Sequence, residues 1–430
     1  WLGRSGQQIA FLITGIVIQG ASMADFYQNG IITTLHNLKQ RSVESMEYEL
    51  QTFAAIRPMT LVLPSLYSEL EGEALPNIVK HLSQVNYLNE IVIGLDQADQ
   101  SQYQQALEFF KPLGSKFRLL WNDGPRLRAV DEQLRREGLA PTEAGKGRNV
   151  WYCLGYVLGA GNASVVGLHD CDIVTYDRGL LARLMYPIAN PSFNYVFCKG
   201  FYARAANGKI HGRVSRLLVT PLIRALKKTL GHYDYLEYID SFRYPLAGEF
   251  SFRTDVINDI RLPSDWGLEI GVLSELNRNY ANNRLCQADI SDSYDHKHQE
   301  LSPENAQAGL AKMSIDISKA LFRKLATNGV VFNSETFRSI KATYFRIALD
   351  FIETYYNDAK MNGLNLDIHA EEQAVEMFAK NIIHAGNDFL ENPMEKPFMP
   401  SWNRVTSAMP YVLSDIQKAV AEDMEAYGAM

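Results

Sequence analysis

The chain has 430 residues, enough at roughly 150 residues per domain for two or three domains around a sizeable core. A hydrophobic fraction of 47% and a charged fraction of 21% exclude a disordered or fibrous chain, and a net charge of −7 argues against a general nucleic-acid binder while leaving room for a local basic pocket. Cys153, Cys171, Cys198 and Cys286 are too sparse for a disulfide framework and lack the paired spacing of a zinc site, which fits a reducing, cytoplasmic location.

Residues 9–19 are apolar but far shorter than the ~20 residues a membrane helix needs, so no membrane partner is expected. Arg4 before them gives a faint likeness to a signal peptide, with no small-residue cleavage site to follow. Met23-Ala24-Asp25-Phe26 reads like a natural start, so residues 1–22 are expected to be an upstream extension or an artefact. From residue 25 to about 56 the spacing of Ile31, Leu35, Leu38, Val43, Met46 and Leu50 predicts helix, and residues 23–58 are taken as a helical N-terminal segment.

A strand over 60–63 is expected to break at Pro64-Ser65-Leu66-Tyr67-Ser68-Glu69. Helix is predicted over 75–85, then a strand over 90–96 that ends on Asp96, helix over 101–112 and strand over 117–121. Helix over 149–158 delivers the chain to a further strand, 165–173. Such alternation means βαβ units in an α/β fold with a mostly parallel sheet. Ligands of these sheets sit at the carboxyl ends of strands, where Pro64, Asp96 and Asp170 all fall.

Gly145-Lys146-Gly147 precedes a helix and offers close backbone approach and a positive charge, though in isolation a solvated turn explains it as well. It lacks the P-loop spacing. The run Val165-Val166-Gly167-Leu168 leads into His169-Asp170-Cys171-Asp172. In an alternating strand the two carboxylates would point to one side and repel, so something positive has to hold them, a divalent cation bridging to a phosphate being the commonest answer. Alone, this motif is equally a polar loop after a core strand.

Gly212-Arg213-Val214-Ser215 opens a helix predicted over 216–226 and combines a guanidinium, a hydroxyl and free N–H groups, as an anion site does; a capped helix with a surface arginine is the even alternative. In Trp266-Gly267-Leu268-Glu269-Ile270-Gly271 one carboxylate sits in an apolar segment, so Glu269 is expected to bond a sugar hydroxyl or a structural partner. After a strand over 285–290 comes Asp295-His296-Lys297-His298, where either histidine is a candidate metal ligand or simply solvated. Helical spacing then covers 314–327, 334–356, 370–389 and 412–427, with most of the acids on the solvated faces. Pro393, Pro397 and Pro400 mark an irregular connector before the last helix. The aromatic stripe Phe337, Tyr344, Phe345, Phe351, Tyr355 and Tyr356 is read as core or a dimer contact.

The order of LVLPSL, GKG, the Asp-x-Asp strand, HGRVS, PLAGEF, DWGLEIG and DHKH resembles the glucosyl-3-phosphoglycerate synthases, from about residue 60 to 298. The departures are Ala247 for a glycine, Ser215 for a threonine, and Gln97-Ala98-Asp99 where the family has a Ser/Gly-rich turn. The resemblance implies a retaining glycosyltransferase of the GT-A fold over 59–300 with a helical C-terminal extension over 301–430. It implies transfer of glucose from UDP-glucose to 3-phosphoglycerate, giving a precursor of glucosylglycerate. Pro64, Ser65, Leu66 and Glu69 would line the nucleoside pocket with Asp96 nearby, and Lys146 would reach the nucleotide. Asp170 would lie on the ribose, with Cys171, Gly248 and Glu249 completing the nucleotide-sugar site. Asp172 and His296 would hold Mg²⁺ or Mn²⁺. Gly212, Arg213 and Ser215 would bind the acceptor and Glu269 the sugar hydroxyls, Arg213 and Glu269 thereby serving catalysis. A homodimer with small-molecule substrates as its partners is expected. A mannosyl donor, free glycerate as acceptor, and a non-catalytic nucleotide-sugar-binding protein are the alternatives.

Overall fold

Aliphatic runs without polar interruption form strands buried on both faces, as Leu61-Val62-Leu63 and Ile91-Val92-Ile93 do here. The computed structural model describes residue 28 and residues 30–264, 267–295, 309–393 and 398–428. The chain opens with β1 (Thr33–Leu35), α1 (Val43–Ala54), β2 (Met59–Leu66), α2 (Ala74–Leu82), β3 (Leu88–Asp96), α3 (Gln100–Phe110), β4 (Phe117–Trp121), α4 (Pro125–Arg136) and α5 (Lys146–Ala160). It continues through β5 (Val165–Leu168), α6 (Arg178–Ala189), β6 (Phe197–Tyr202) and a small hairpin of β7 (Ala205–Ala206) and β8 (Lys209–Ile210). A π-helical turn over Val214–Val219 runs into α7 (Thr220–Leu230), followed by α8 (Asp234–Asp240), β9 (Phe250–Arg253), α9 (Val256–Asp259), α10 (Leu268–Asn279) and β10 (Leu285–Ser291). Five helices follow: α11 (Gly309–Thr327), α12 (Ser334–Met361), α13 (Ile368–Glu391), α14 (Trp402–Ala408) and α15 (Val412–Gly428).

Among the described residues eight strands form one sheet in the order β1-β10-β6-β9-β5-β2-β3-β4. All neighbours pair in parallel except β9, which runs antiparallel to β5 and β6. Alternation along each strand divides its side chains between two cores. Leu61, Leu63, Ile91 and Ile93 pack under α1, α2, α3 and α6, while Val62, Val92, Val166 and Leu168 face α5, α7, α8 and α10. The C-terminal helices continue this second core, with Phe322, Phe337, Tyr344, Phe378, Trp402 and Ile416 contiguous with it. Trp402 stacks on Trp151 at 4.0 Å, and Arg126 at the start of α4 pairs with Glu422 at 3.2 Å and Asp423 at 2.5 Å on α15. No described helix is long and apolar enough to cross a membrane.

Several expectations are corrected. Among the described residues of the expected helix over 25–56, helix forms only in α1, begun where the Ser42 hydroxyl accepts from Ser45 N at 3.2 Å. Thr33–Leu35 is an edge strand instead, because β10 offers a parallel partner (Thr33 opposite Cys286, Leu35 opposite Ala288). The Gln28 side chain bonds both the N–H and the C=O of Thr34, at 2.6 and 2.9 Å, which satisfies backbone groups on the open side. The strand expected to break at Pro64 continues to Leu66. On the β5 side the ladder stops at Val62, so a residue without an N–H leaves no gap there. β5 stops at Leu168, so Asp170-Cys171-Asp172 is loop rather than alternating strand. The first four residues of the helix expected from Arg216 belong to the π turn, and α14 occupies part of the expected irregular connector. Residues 1–27, Trp266, His296, Lys297, His298, residues 301–308 and Pro397 lie outside the described residues.

Candidate active site

β2 and β5 part at their carboxyl ends, and the opening between them is where a twisted parallel sheet takes a ligand. Lys146 stands at the first residue of α5, after the cap Gly145, and reaches back to this opening. Its Nζ lies 2.6 Å from Asp170 Oδ1 and 3.1 Å from Glu269 Oε1. Burial pushes the Lys146 ammonium down, but attraction to Asp170 and then Glu269 outweighs it, and the net direction is up. The second oxygen of Glu269 carries no hydrogen bond among the described residues. Gly147, expected to let a ligand approach, instead packs against protein. A Cβ there would lie 2.3 Å from the Pro263 carbonyl oxygen.

Gly248 is the residue that lets Asp170 sit where it does: a Cβ at 248 would lie 2.4 Å from Asp170 Oδ2. Glu249, expected on the nucleotide sugar, is fully buried, and its two oxygens accept from Tyr202 Oη and Tyr294 Oη, each at 2.6 Å. Its carboxyl is pushed up by burial and by Asp170, against those two bonds. It therefore stands behind the wall of the site as a strut. Cys171 likewise turns into the core, its thiol raised by burial.

Lys199 on β6 is a site residue that sequence spacing passes over. It is 1% exposed, donates to the Ala247 carbonyl at 2.5 Å and lies over the Phe250 ring. Burial lowers its ammonium to about 8, against the pull of Glu269 and Glu249. The signal was a lysine inside the apolar run Phe197-Cys198-Lys199-Gly200-Phe201.

At the end of β2, Pro64, Ser65 and Leu66 pair with Gly94, Leu95 and Asp96 of β3. The Ser65 hydroxyl is buried and donates to the Leu66 carbonyl at 3.0 Å, Leu66 is exposed, and Glu69 is half-buried in the short turn Tyr67–Glu71. Burial raises the Asp96 carboxyl to about 6, although Asn122 Nδ2 donates to it at 2.7 Å. The Gln97-Ala98-Asp99 turn holds together by other means than a Ser/Gly-rich one. Gln97 takes a left-handed φ of 58°, Asp123 Oδ2 accepts from the N–H of Gln97 at 2.7 Å and of Ala98 at 3.3 Å, and Asp99 caps α3.

Asp172 is half-buried in the loop after β5. The residues that follow it are tied to the end of the β10 segment: Val174 N donates to Asp295 O at 2.9 Å, Thr175 Oγ1 to Ser293 O at 3.1 Å, and Asp295 N to Thr175 Oγ1 at 3.1 Å. Asp295, the residue before His296, is thus bound to the Asp-x-Asp loop. Among the described residues no three His, Cys, Asp or Glu side chains cluster as a metal site, and His296 lies outside them. A carboxylate and an imidazole are oxygen and nitrogen donors of the kind Mg²⁺ or Mn²⁺ accepts.

The same wall runs on to the GRVS segment. Tyr202 stacks on Tyr294 at 3.6 Å and meets Tyr244 edge-on, and Arg204 Nη1 donates to Tyr244 Oη at 3.4 Å. Gly212 follows with φ of 77°, a backbone that disfavours a side chain. Arg213 Nε donates to Glu371 Oε1 at 2.7 Å, a residue of α13 that the sequence placed on a solvated face. Ser215, expected on the acceptor, has a buried hydroxyl with no hydrogen-bond partner among the described residues. Lys146, Asp170 and Glu269 thus form one ion-paired group, and Arg213 with Glu371 another.

No protein-family model matches the chain. Individual relatives do. A glucosyl-3-phosphoglycerate synthase of Persephonella marina is 44% identical over 401 residues, 93% of this chain and 99% of its own. Another, of Methanococcoides burtonii, is 38% identical over 94% of this chain and 99% of its own. Among solved structures, the Mycobacterium tuberculosis glucosyl-3-phosphoglycerate synthase in complex with Mn²⁺, uridine-diphosphate-glucose and phosphoglyceric acid aligns with a TM-score of 0.51 at 19% identity. It covers 70% of this chain and 89% of that one, a likeness of fold. Near end-to-end matches at 44% and 38% identity, on a mostly parallel sheet with its acids at the strand ends, leave one conclusion: the chain belongs to the glucosyl-3-phosphoglycerate synthase family of GT-A glycosyltransferases.

Proposed function

We propose that this protein transfers glucose from UDP-glucose to the hydroxyl of 3-phosphoglycerate, with retention, and releases glucosyl-3-phosphoglycerate and UDP. The observation that carries this reading is the lysine clamped between two carboxylates, Asp170 in the loop after β5 and Glu269 in the first turn of α10. Asp96 and the end of β2 hold the nucleoside, Asp170 the ribose, and Lys146 the nucleotide side. Glu269 presents its open oxygen to a sugar hydroxyl. Asp172 and His296 would hold Mg²⁺ or Mn²⁺, which would supply the positive charge that a diphosphate leaving group calls for. Arg213 fixes the acceptor's phosphate so that its hydroxyl meets the sugar carbon.

Asp170 and Glu269 are both engaged by Lys146, and Glu249 by two tyrosines, which supports front-face attack over a covalent carboxylate intermediate. The four cysteines are buried and free, in keeping with a cytoplasmic setting. The helical extension leaves Val331, Met361 and Tyr411 largely exposed, apolar surface that a homodimer would cover; a monomer mass by light scattering removes that assignment.

Arg213 gives the test of the acceptor. Arg213→Ala loses charge and fork, Arg213→Lys only the fork. A charge-assisted pair contributes roughly 1.5–3 kcal/mol, so the KM for 3-phosphoglycerate should rise about tenfold to a hundredfold for alanine and less for lysine, with little change for UDP-glucose. Equal losses with phosphorylated and unphosphorylated glycerate would favour glycerate itself as acceptor.

A further inference from the structure

Resting on that reading of the acceptor site, we infer that Glu371 of the C-terminal helix α13 is a positioning residue for the acceptor: it aims the Arg213 guanidinium by holding its Nε. The geometry is specific. Glu371 is 2% exposed, and one of its oxygens accepts from Arg213 Nε at 2.7 Å. The other lies 2.8 Å from Arg216 Nη1, an ion pair whose direction falls short of a hydrogen bond. One carboxylate thus bridges two guanidiniums of the GRVS segment, from a helix more than 150 residues further along the chain.

Because Glu371 takes the Nε edge, both terminal nitrogens of Arg213 make no hydrogen bond to the described residues, while the side chain stays one-third exposed. That leaves the two terminal nitrogens as the pair of donors that matches two phosphate oxygens end-on. Arg216 is fixed differently. It is 8% exposed, its Nε donates to the His211 carbonyl at 2.8 Å, and its guanidinium lies over the Tyr355 ring at 4.8 Å. It therefore cannot swing out to replace Arg213, and its buried charge needs the Glu371 carboxylate. Two arginines, Arg213 and Arg216, share this one acid, so the group keeps an excess of positive charge for an anionic acceptor. The GT-A sheet alone does not complete this site: α13 supplies the residue that orients it.

Glu371→Gln is the substitution to make, since it keeps the size and one acceptor oxygen. An amide turns an N–H₂ toward one of the two guanidiniums, so it cannot bridge both. The expected result is a rise of about tenfold in the KM for 3-phosphoglycerate, with the KM for UDP-glucose within about twofold and the preference over glycerate reduced. Glu371→Asp should recover part of the loss. In an Arg213→Ala background, Glu371→Gln should add nothing, because its effect runs through Arg213. An unchanged or lowered KM for 3-phosphoglycerate overturns the inference, the latter meaning that Glu371 competes with the phosphate. An equal rise in the Arg213→Ala background overturns it too, since Glu371 would then act on the whole segment. If Arg213→Ala alone leaves that KM unchanged, the phosphate role of Arg213 falls first and the inference with it.

Discussion

Gly248→Ala tests whether the Lys146–Asp170 geometry matters. The backbone at 248 tolerates a side chain, so the perturbation is one of space. The new methyl carbon would stand 2.4 Å from Asp170 Oδ2, 2.8 Å from its Cγ and 2.9 Å from its Oδ1. Ordinary contact needs roughly 1 Å more, and the carboxylate has to give way. If that shift stretches the 2.6 Å contact to Lys146 by about 1 Å, an effective dielectric constant near 20 puts the loss at about 2 kcal/mol. Lys146 and Asp170 are both partly exposed, so solvent screening reduces this to roughly 1–2 kcal/mol. The donor kcat/KM should then fall about fivefold to thirtyfold. The assay is steady-state UDP release at saturating 3-phosphoglycerate, alongside a thermal melt. A variant with kcat/KM within twofold of the parent, whatever its melting temperature, refutes the placement of Asp170 on the donor.

Asp172→Ala and His296→Ala should each abolish transfer and leave the melting temperature near the parent's, because charge compensation for the diphosphate contributes several kcal/mol to the barrier. Near-normal turnover in added metal removes that ligand from the assignment. Asp96 gives a pH signature. Its carboxyl titrates near 3.8 in the unfolded chain and about 6 when folded, so between those values the folded state holds a proton the unfolded state has lost. Stability should therefore drop through this contribution as pH rises from about 4 to about 6. The difference in melting temperature between parent and Asp96→Asn should show that slope, and a flat difference contradicts the buried carboxyl.

Most strands and helices from β2 to α5, and the long helices α11, α12, α13 and α15, were legible because each carries its own period and its own stop signal; α4 and the short α14 were not read. The order of motifs was legible too, and it is what pointed to the family. β1 was not: its apolar residues fit a helical period as well as an edge strand, and its partner β10 lies some 250 residues later. The bridging of Asp170 and Glu269 by Lys146 was hidden for the same reason, since it joins residues 123 apart. Glu249 looked like a ligand contact because a short motif says nothing about which way its side chain faces. Tyr202 and Tyr294, which claim both its oxygens, come from two other segments. Glu371 read as a solvated acid on an amphipathic helix. Its burial follows from α13 packing on the π turn after Arg213, a contact that no local pattern encodes.

The central claim is most directly tested by incubating the full chain with UDP-glucose and 3-phosphoglycerate, with Mg²⁺ or Mn²⁺ and with EDTA, and measuring UDP and glucosylated product together. The account predicts stoichiometric UDP and α-glucosyl-3-phosphoglycerate, blocked by EDTA and restored by excess metal, with far slower turnover on glycerate. Turnover indifferent to EDTA, or no glucosylated phosphoglycerate while the folded protein binds UDP-glucose, would contradict it.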